Sequence, residues 1–318
     1  MKDLEVNIVD TTDQITQLID SIAAPGLSLP ILYIDLEGVN LSRHGSISIV
    51  TLLVDRNNTQ QIYLVDVHTL NALAFNTAGT TKKTLRDILE AQQFIKVFFD
   101  VRNDSDALFS HFGIALKGIE DIQVMESATR KTTASRRLVS GLAGCIRNLL
   151  SHPSNYLDYA RWKSIKEHGE QLFKPEVGGS HDVFNRRPML KEIIQYCAGD
   201  VCYLVELRKL FLAQIQGCRH LVDEASRARV VASQKSTYKP HGQEKALAPW
   251  TKEENEFLNR INCPHVSYSR DDALDFENEF DIMDSLDNDE ADDDWYDDGP
   301  TSCRDIISAS NMHYYYSD

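Results

Sequence analysis

The chain predicts an α/β fold, a mixed sheet flanked by helices, over about residues 1–220. Two observations predict it. The first 130 residues hold five β-rich apolar runs among short helices and polar turns, and from residue 138 onward the apolar spacing becomes helical. Strands followed by helices of this kind pack as one α/β domain.

The elements follow in order. Residues 5–20 are expected to form a short helix, with Thr11 or Thr12 as its cap. Three β-rich runs come next, 30–38, 46–54 and 61–67. The polar stretch 55–60 makes the last two a hairpin, so the three read as an antiparallel meander. Residues 80–92 carry apolar groups at helical spacing. The run 94–101 is almost wholly apolar and is expected to be a central fourth strand. Residues 104–113 read as a helix closed by Gly113, and 119–130 as a fifth strand running into a helix. Helices are expected at 138–150 and 155–168, with one long helix from 188 to about 216. Within the first of these, "GLAGCIRN" (141–148) lacks a phosphate-loop pattern and reads as a packed helix with small residues.

After residue 220 the pattern changes. Residues 221–269 read as a helical and linker extension, with 238–250 as linker and 251–261 as a short amphipathic helix. Residues 270–299 are expected to be disordered, because like charge is high and hydrophobicity low. The last segment, 300–318, regains apolar and aromatic residues and could dock on the domain or a protein partner.

Charge is unevenly placed. The formal net charge is −15, yet residues 271–298 hold 15 acidic and no basic residues. Taking these 15 from the 48 acidic residues leaves 33, equal to the 33 basic ones. Residues 128–191 hold 12 Lys/Arg against 5 Asp/Glu. A basic region beside an acid-lined site suits phosphate binding, and equally reads as a solvated face. The acidic segment is a solvated spacer or a competitor for that basic face. No apolar run of about 18 residues occurs, so no membrane span is expected. The six cysteines, 145, 197, 202, 218, 263 and 303, lack metal-ligand spacing and read as reduced thiols of an intracellular protein, cytoplasmic or nuclear.

Three acidic clusters carry chemistry. Asp35 and Glu37 share one face at the end of a strand that should be buried, and paired buried carboxylates are costly unless a cation sits between them. Oxygen ligands in that arrangement suit Mg²⁺ or Mn²⁺. "FFDVRNDSDAL" supplies Asp100, Asp104 and Asp106, with Asp104 at a helix start, where it also suits an N-cap. Tyr196 and Asp200 lie four apart on one helical face beside an apolar stripe.

In this chain order, strand D-x-E, helix-start Asp and helical Y-x-x-x-D resemble the DEDD superfamily of 3′–5′ exonucleases. The tyrosine resembles the DEDDy branch of the ribonuclease D and Werner-type domains. "DLEGVNLSRHGSISIV", "VFFDVRNDSDALF" and "RPMLKEIIQYCAGDVCYL" are closer still to the Egalitarian-like 3′–5′ exonuclease domain proteins. The resemblance covers roughly 30–215. It implies a ribonuclease H-like fold and a hydrolase with two divalent cations, Mg²⁺ or Mn²⁺. By position, Asp35, Glu37 and Asp200 would ligate one ion, Asp35 would bridge to the second, Asp104 would hold the second, and Tyr196 would orient the attacking water. Two such ions stabilise the attacking and leaving oxygens of an in-line displacement. Where relatives often have His and Asn in the second motif, this chain has Phe99 and Asp100. Some Egalitarian-like members have lost acidic ligands and act as scaffolds, so a nucleic-acid-binding adaptor is the alternative. The implied partner is the 3′ end of RNA or DNA.

Arg43 and His44 could touch the substrate terminus or be surface turn residues. Arg136 and Arg137, in "RKTTASRR", and Arg186 and Arg187, in "NRRPMLK", could track a phosphate backbone. Trp162 could stack on a base, although core packing is the stronger reading.

Overall fold

The computed structural model describes residues 5–262; the acidic segment and the terminal tail lie outside them. The chain opens with strand β1 (Val6–Val9), then helix α1 (Thr12–Ile22). The sequence predicts helix over 5–20. Instead, Val6–Val9 add a parallel strand to the outer edge of the sheet, and the helix starts only where Thr11 forms a reciprocal cap with Gln14.

Strands β2 (Ile31–Glu37), β3 (Ile49–Arg56) and β4 (Thr59–Asp66) form the expected antiparallel meander. Asn57 and Asn58, both at positive φ (53° and 66°), make the tight turn between the last two. Short helices α2 (Val67–Leu70) and α3 (Leu73–Asn76) follow, then α4 (Leu85–Glu90). α4 is shorter than the expected 80–92, because Thr84 and Asp87 form its capping box.

Next come β5 (Ile95–Phe98), α5 (Arg102–Phe112), β6 (Ile119–Asp121) and α6 (Ile122–Thr129). Gly113 closes α5 in the left-handed conformation, as expected. The helical half runs through α7 (Leu142–Leu149), α8 (Tyr156–Phe173), α9 (Lys191–Cys202), α10 (Leu204–Gln214), α11 (Arg219–Ser233) and α12 (Lys252–Asn262). The long helix expected over 188–216 is interrupted at Tyr203 and becomes α9 and α10.

The sheet has the order β1-β4-β3-β2-β5-β6, with β2 parallel to β5 and antiparallel to β3. Strand alternation sends Leu32, Ile34 and Leu36 into one core layer, with α1, α4 and α5. Tyr33, Ile49 and Leu53 face the other, with α6 to α10 and Trp162. Trp162 is thus a core residue, packed edge-to-face on Tyr203. Among the described residues, no helix is long and apolar enough to cross a membrane, and Cys197, Cys202 and Cys218 are free thiols.

One buried cation marks the first layer. Lys96 on β5 is fully buried and donates to the carbonyls of Ile88 and Ala91 at 3.3 and 2.7 Å. Burial pulls its pKa down from 10.5 to about 7. Below about pH 7 both folded and unfolded chains carry the charge, and the cost of burying it is fully present. Between that value and 10.5 only the unfolded chain holds the proton, so stability rises by up to about 1.4 kcal/mol per pH unit. Urea unfolding at pH 7 and pH 9 should show wild type gaining stability relative to Lys96→Met; an unchanged difference would contradict this.

Candidate active site

The site lies outside the carboxyl ends of β2 and β5, where open α/β sheets place their ligands. Asp35 and Glu37, at the end of β2, face the layer that holds α9; their partners on β3 are Thr51 and Ile49. Gly38 then lets the loop of residues 39–46 fold back, since a Cβ there would lie 1.9 Å from the Ser46 carbonyl oxygen. α9 packs on β2 and β3 and brings Asp200 to the same point. Carboxylate oxygens of Asp35, Glu37 and Asp200 all lie within 4.8 Å of one another, an arrangement that could hold a metal ion.

The electrostatics follow from this crowding. Burial, then repulsion from Asp35 and Asp200, pushes the Glu37 carboxyl well above the usual carboxylate range. Asp104 is buried in the first turn of α5, and burial followed by repulsion from Asp35 raises it likewise. The Tyr196 hydroxyl is pushed up by burial, then by Asp200, Glu37 and Asp35. The structure therefore brings Asp35, Glu37, Tyr196 and Asp200 into electrostatic range of one another, with Asp104 in range of Asp35 and Glu37. Val101, not Asp104, occupies the N-cap of α5.

Asp100, the extra acid of the second segment, has other partners. It pairs with Arg102 at 2.5 Å through both oxygens and lies 3.6 Å from Arg229. Burial opposes ionisation, but Arg102 and Arg229 hold the carboxyl well below its ordinary range. Its backbone sits at φ 58°, so the turn after β5 is tightly specified.

The five arginines read as nucleic-acid contacts separate into two sets. Arg43 is half-buried and binds Asp106 at 2.7 Å and the carbonyls of Ser233, Lys235 and Ser236 at 2.8–3.0 Å. Arg136 is buried and donates to the Asn255 side chain and carbonyl, both at 3.0 Å, which ties the 130–137 loop to α12. Arg187 makes a two-pronged pair with Asp66, both contacts 2.5 Å. These three are committed to internal partners, whereas Arg137 and Arg186 are exposed, as is His44.

Two groups at the site escaped the sequence reading. Asp121, at the end of β6, accepts from the backbone N–H of Asp100, Val101 and Gln123 and from Arg229. Lys166 on α8 donates to Tyr196 Oη and to both oxygens of Asp200. The available signal for it was helical spacing: Trp162, Lys166, Gly169, Glu170 and Phe173 form one buried stripe. The stretch read as linker also reaches this region. Tyr238 Oη and Lys245 Nζ both donate to the Asn103 side chain. Burial pulls the Lys245 ammonium down to about 8, with Asp100 opposing.

A 3′–5′ exonuclease family model matches residues 6–216. Mouse piRNA biogenesis protein EXD1 is 27% identical over 190 residues, covering 58% of this chain and 30% of the mouse protein. The chain thus spans about a third of the length of that curated relative. Among solved structures, RNase D of Trypanosoma brucei in complex with RNA U12 superposes with a TM-score of 0.62 at 19% identity, over 80% of this chain and 79% of that one. The catalytic core of RRP6 from the same organism gives 0.51 at 16% identity, over 72% and 52%. The matched span contains every strand of the sheet and all five residues of the acid–tyrosine cluster, and the chain belongs to the 3′–5′ exonuclease family.

Proposed function

We propose that the protein is a metal-dependent 3′–5′ exonuclease that hydrolyses phosphodiester bonds of single-stranded or recessed nucleic acid. The observation that carries this is the convergence of Asp35, Glu37 and Asp200 within 4.8 Å, with Tyr196 and Asp104 beside them. The donors are all hard carboxylate oxygens, and burial with repulsion already disfavours the ionised forms of Glu37 and Asp104. Such a set fits Mg²⁺ or Mn²⁺. Asp35, Glu37 and Asp200 would hold one ion, and Asp35 and Asp104 a second. Bound there, divalent ions would polarise the phosphate and lower the pKa of water. The Tyr196 hydroxyl, held near neutral form by its buried acidic surroundings, can orient a water by hydrogen bonding. Exposed Arg137 and Arg186 can contact phosphates. The RNA in the T. brucei complex makes single-stranded RNA the first substrate to test.

Mn²⁺ should therefore raise the melting temperature, by the linkage between binding and folding, and Asp35→Asn should abolish that rise. Equal melting curves with and without Mn²⁺ would count against the metal site.

A non-catalytic adaptor that binds nucleic acid on the same fold is the second reading. The contact between Lys166 and Asp200 favours it, because a protein cation already lies against one of the acids.

A further inference from the structure

Helix α8 delivers one cation into the acid cluster. Lys166 is buried, with its ammonium 3.2 Å from Tyr196 Oη and 3.2 and 3.3 Å from the two Asp200 oxygens. It also lies 4.7 Å from the Tyr196 ring centroid. The ammonium thus faces Asp200 and Tyr196 together, which are one turn apart on α9.

The placement is enforced by packing. Gly169, one turn beyond Lys166, touches Tyr196 so closely that a Cβ would lie 2.5 Å from its ring. Phe173 packs edge-on against the same ring, with centroids 5.1 Å apart. α8 is therefore held against α9, and the lysine stem points where the acids are. A lysine on a buried helical stripe is expensive unless anions face it. Here they do: Glu37 is also within its electrostatic reach.

We propose that Lys166 is a resident counter-cation of this site, a positioning residue that holds Asp200 and Tyr196 in place without metal and competes with the divalent ion for Asp200. The inference rests on the reading of these acids as a metal site. The physical reason is charge exclusion. An ammonium shared by both oxygens of one carboxylate repels a second cation brought to the same oxygens. The four-carbon stem of lysine is flexible enough to yield when an ion binds, so the ion must displace the lysine and bind more weakly than its three carboxylates alone would allow.

The test is calorimetric titration of Mn²⁺ into the full chain, alongside melting curves in chelator. Compared with wild type, Lys166→Met is expected to bind Mn²⁺ at least ~10-fold more tightly and to melt at lower temperature without metal. Lys166→Gln, which keeps length and hydrogen-bond donors but not charge, carries the same expectation and serves if the Met variant does not fold. Lys166→Arg should keep wild-type affinity. Mn²⁺ binding that is unchanged or weaker in the neutral variants overturns the inference while leaving the metal site standing. No binding in wild type or either neutral variant overturns both.

Discussion

Asp35→Asn/Glu37→Gln should lose at least about 10³-fold in exonucleolytic rate while remaining folded, and should melt higher than wild type in chelator. The rate loss follows from removing two of the acids proposed to hold the cation. Metal-assisted charge stabilisation is worth several kcal/mol, and each 1.36 kcal/mol is about tenfold in rate. The stability gain has a separate cause. Glu37 is pushed up by burial and by Asp35 and Asp200, so its ionised form opposes folding. A carboxyl whose pKa is raised in the folded state costs stability once pH exceeds its unfolded value, and a neutral amide removes that cost. Relief of about 1 kcal/mol would raise the melting temperature by roughly 2–4 °C in a protein of this size. A double variant that keeps activity, or melts well below wild type, would contradict the role given to these acids.

The second large effect is at Asp121, whose charge lies within electrostatic range of Asp104. It is fully buried at the end of β6 and holds three backbone N–H groups, two of them in the turn after β5. It also pairs with Arg229 of α11 at 2.7 Å. Asp121→Ala would leave those donors and a buried guanidinium without their acceptor. Breaking a buried pair of this kind costs about 3–5 kcal/mol, which chemical denaturation would read directly. The turn it holds leads into α5 and Asp104, so activity should fall with stability. Asp121→Asn keeps the acceptor oxygen and should cost less than the alanine change. A loss below about 1 kcal/mol for Asp121→Ala would show that the turn is specified elsewhere.

What the sequence made legible follows from which signals are local. The β2–β4 meander was readable because alternation and the polar Asn57–Asn58 turn lie next to each other in the chain. The acids at 35, 37, 104 and 200 were readable through a motif order that outlives sequence drift, and the structure brings these segments together. β1 was missed because a four-residue strand joined to a helix gains its identity from pairing with β4, far along the chain. Lys166 and Asp121 were missed for the same reason. A lysine in a helix and an acid before one are ordinary until Asp200 and Arg229, 34 and 108 residues away, arrive beside them. The basic cluster at 130–137 shows the converse. Local charge suggested a phosphate contact for Arg136, whereas α12, whose packing no local pattern announced, takes up its guanidinium.

On the proposed function, the acid–tyrosine cluster hydrolyses nucleic acid from the 3′ end. The most direct measurement is degradation of 5′-labelled and 3′-labelled single-stranded RNA and DNA oligomers in Mg²⁺ or Mn²⁺, with the Asp35→Asn/Glu37→Gln double variant alongside. The expected result is a one-nucleotide ladder on the 5′-labelled strand and early release of the 3′ label, both absent in the variant and in chelator. Intact oligomers that still bind the wild-type protein would contradict it and leave the adaptor reading in its place.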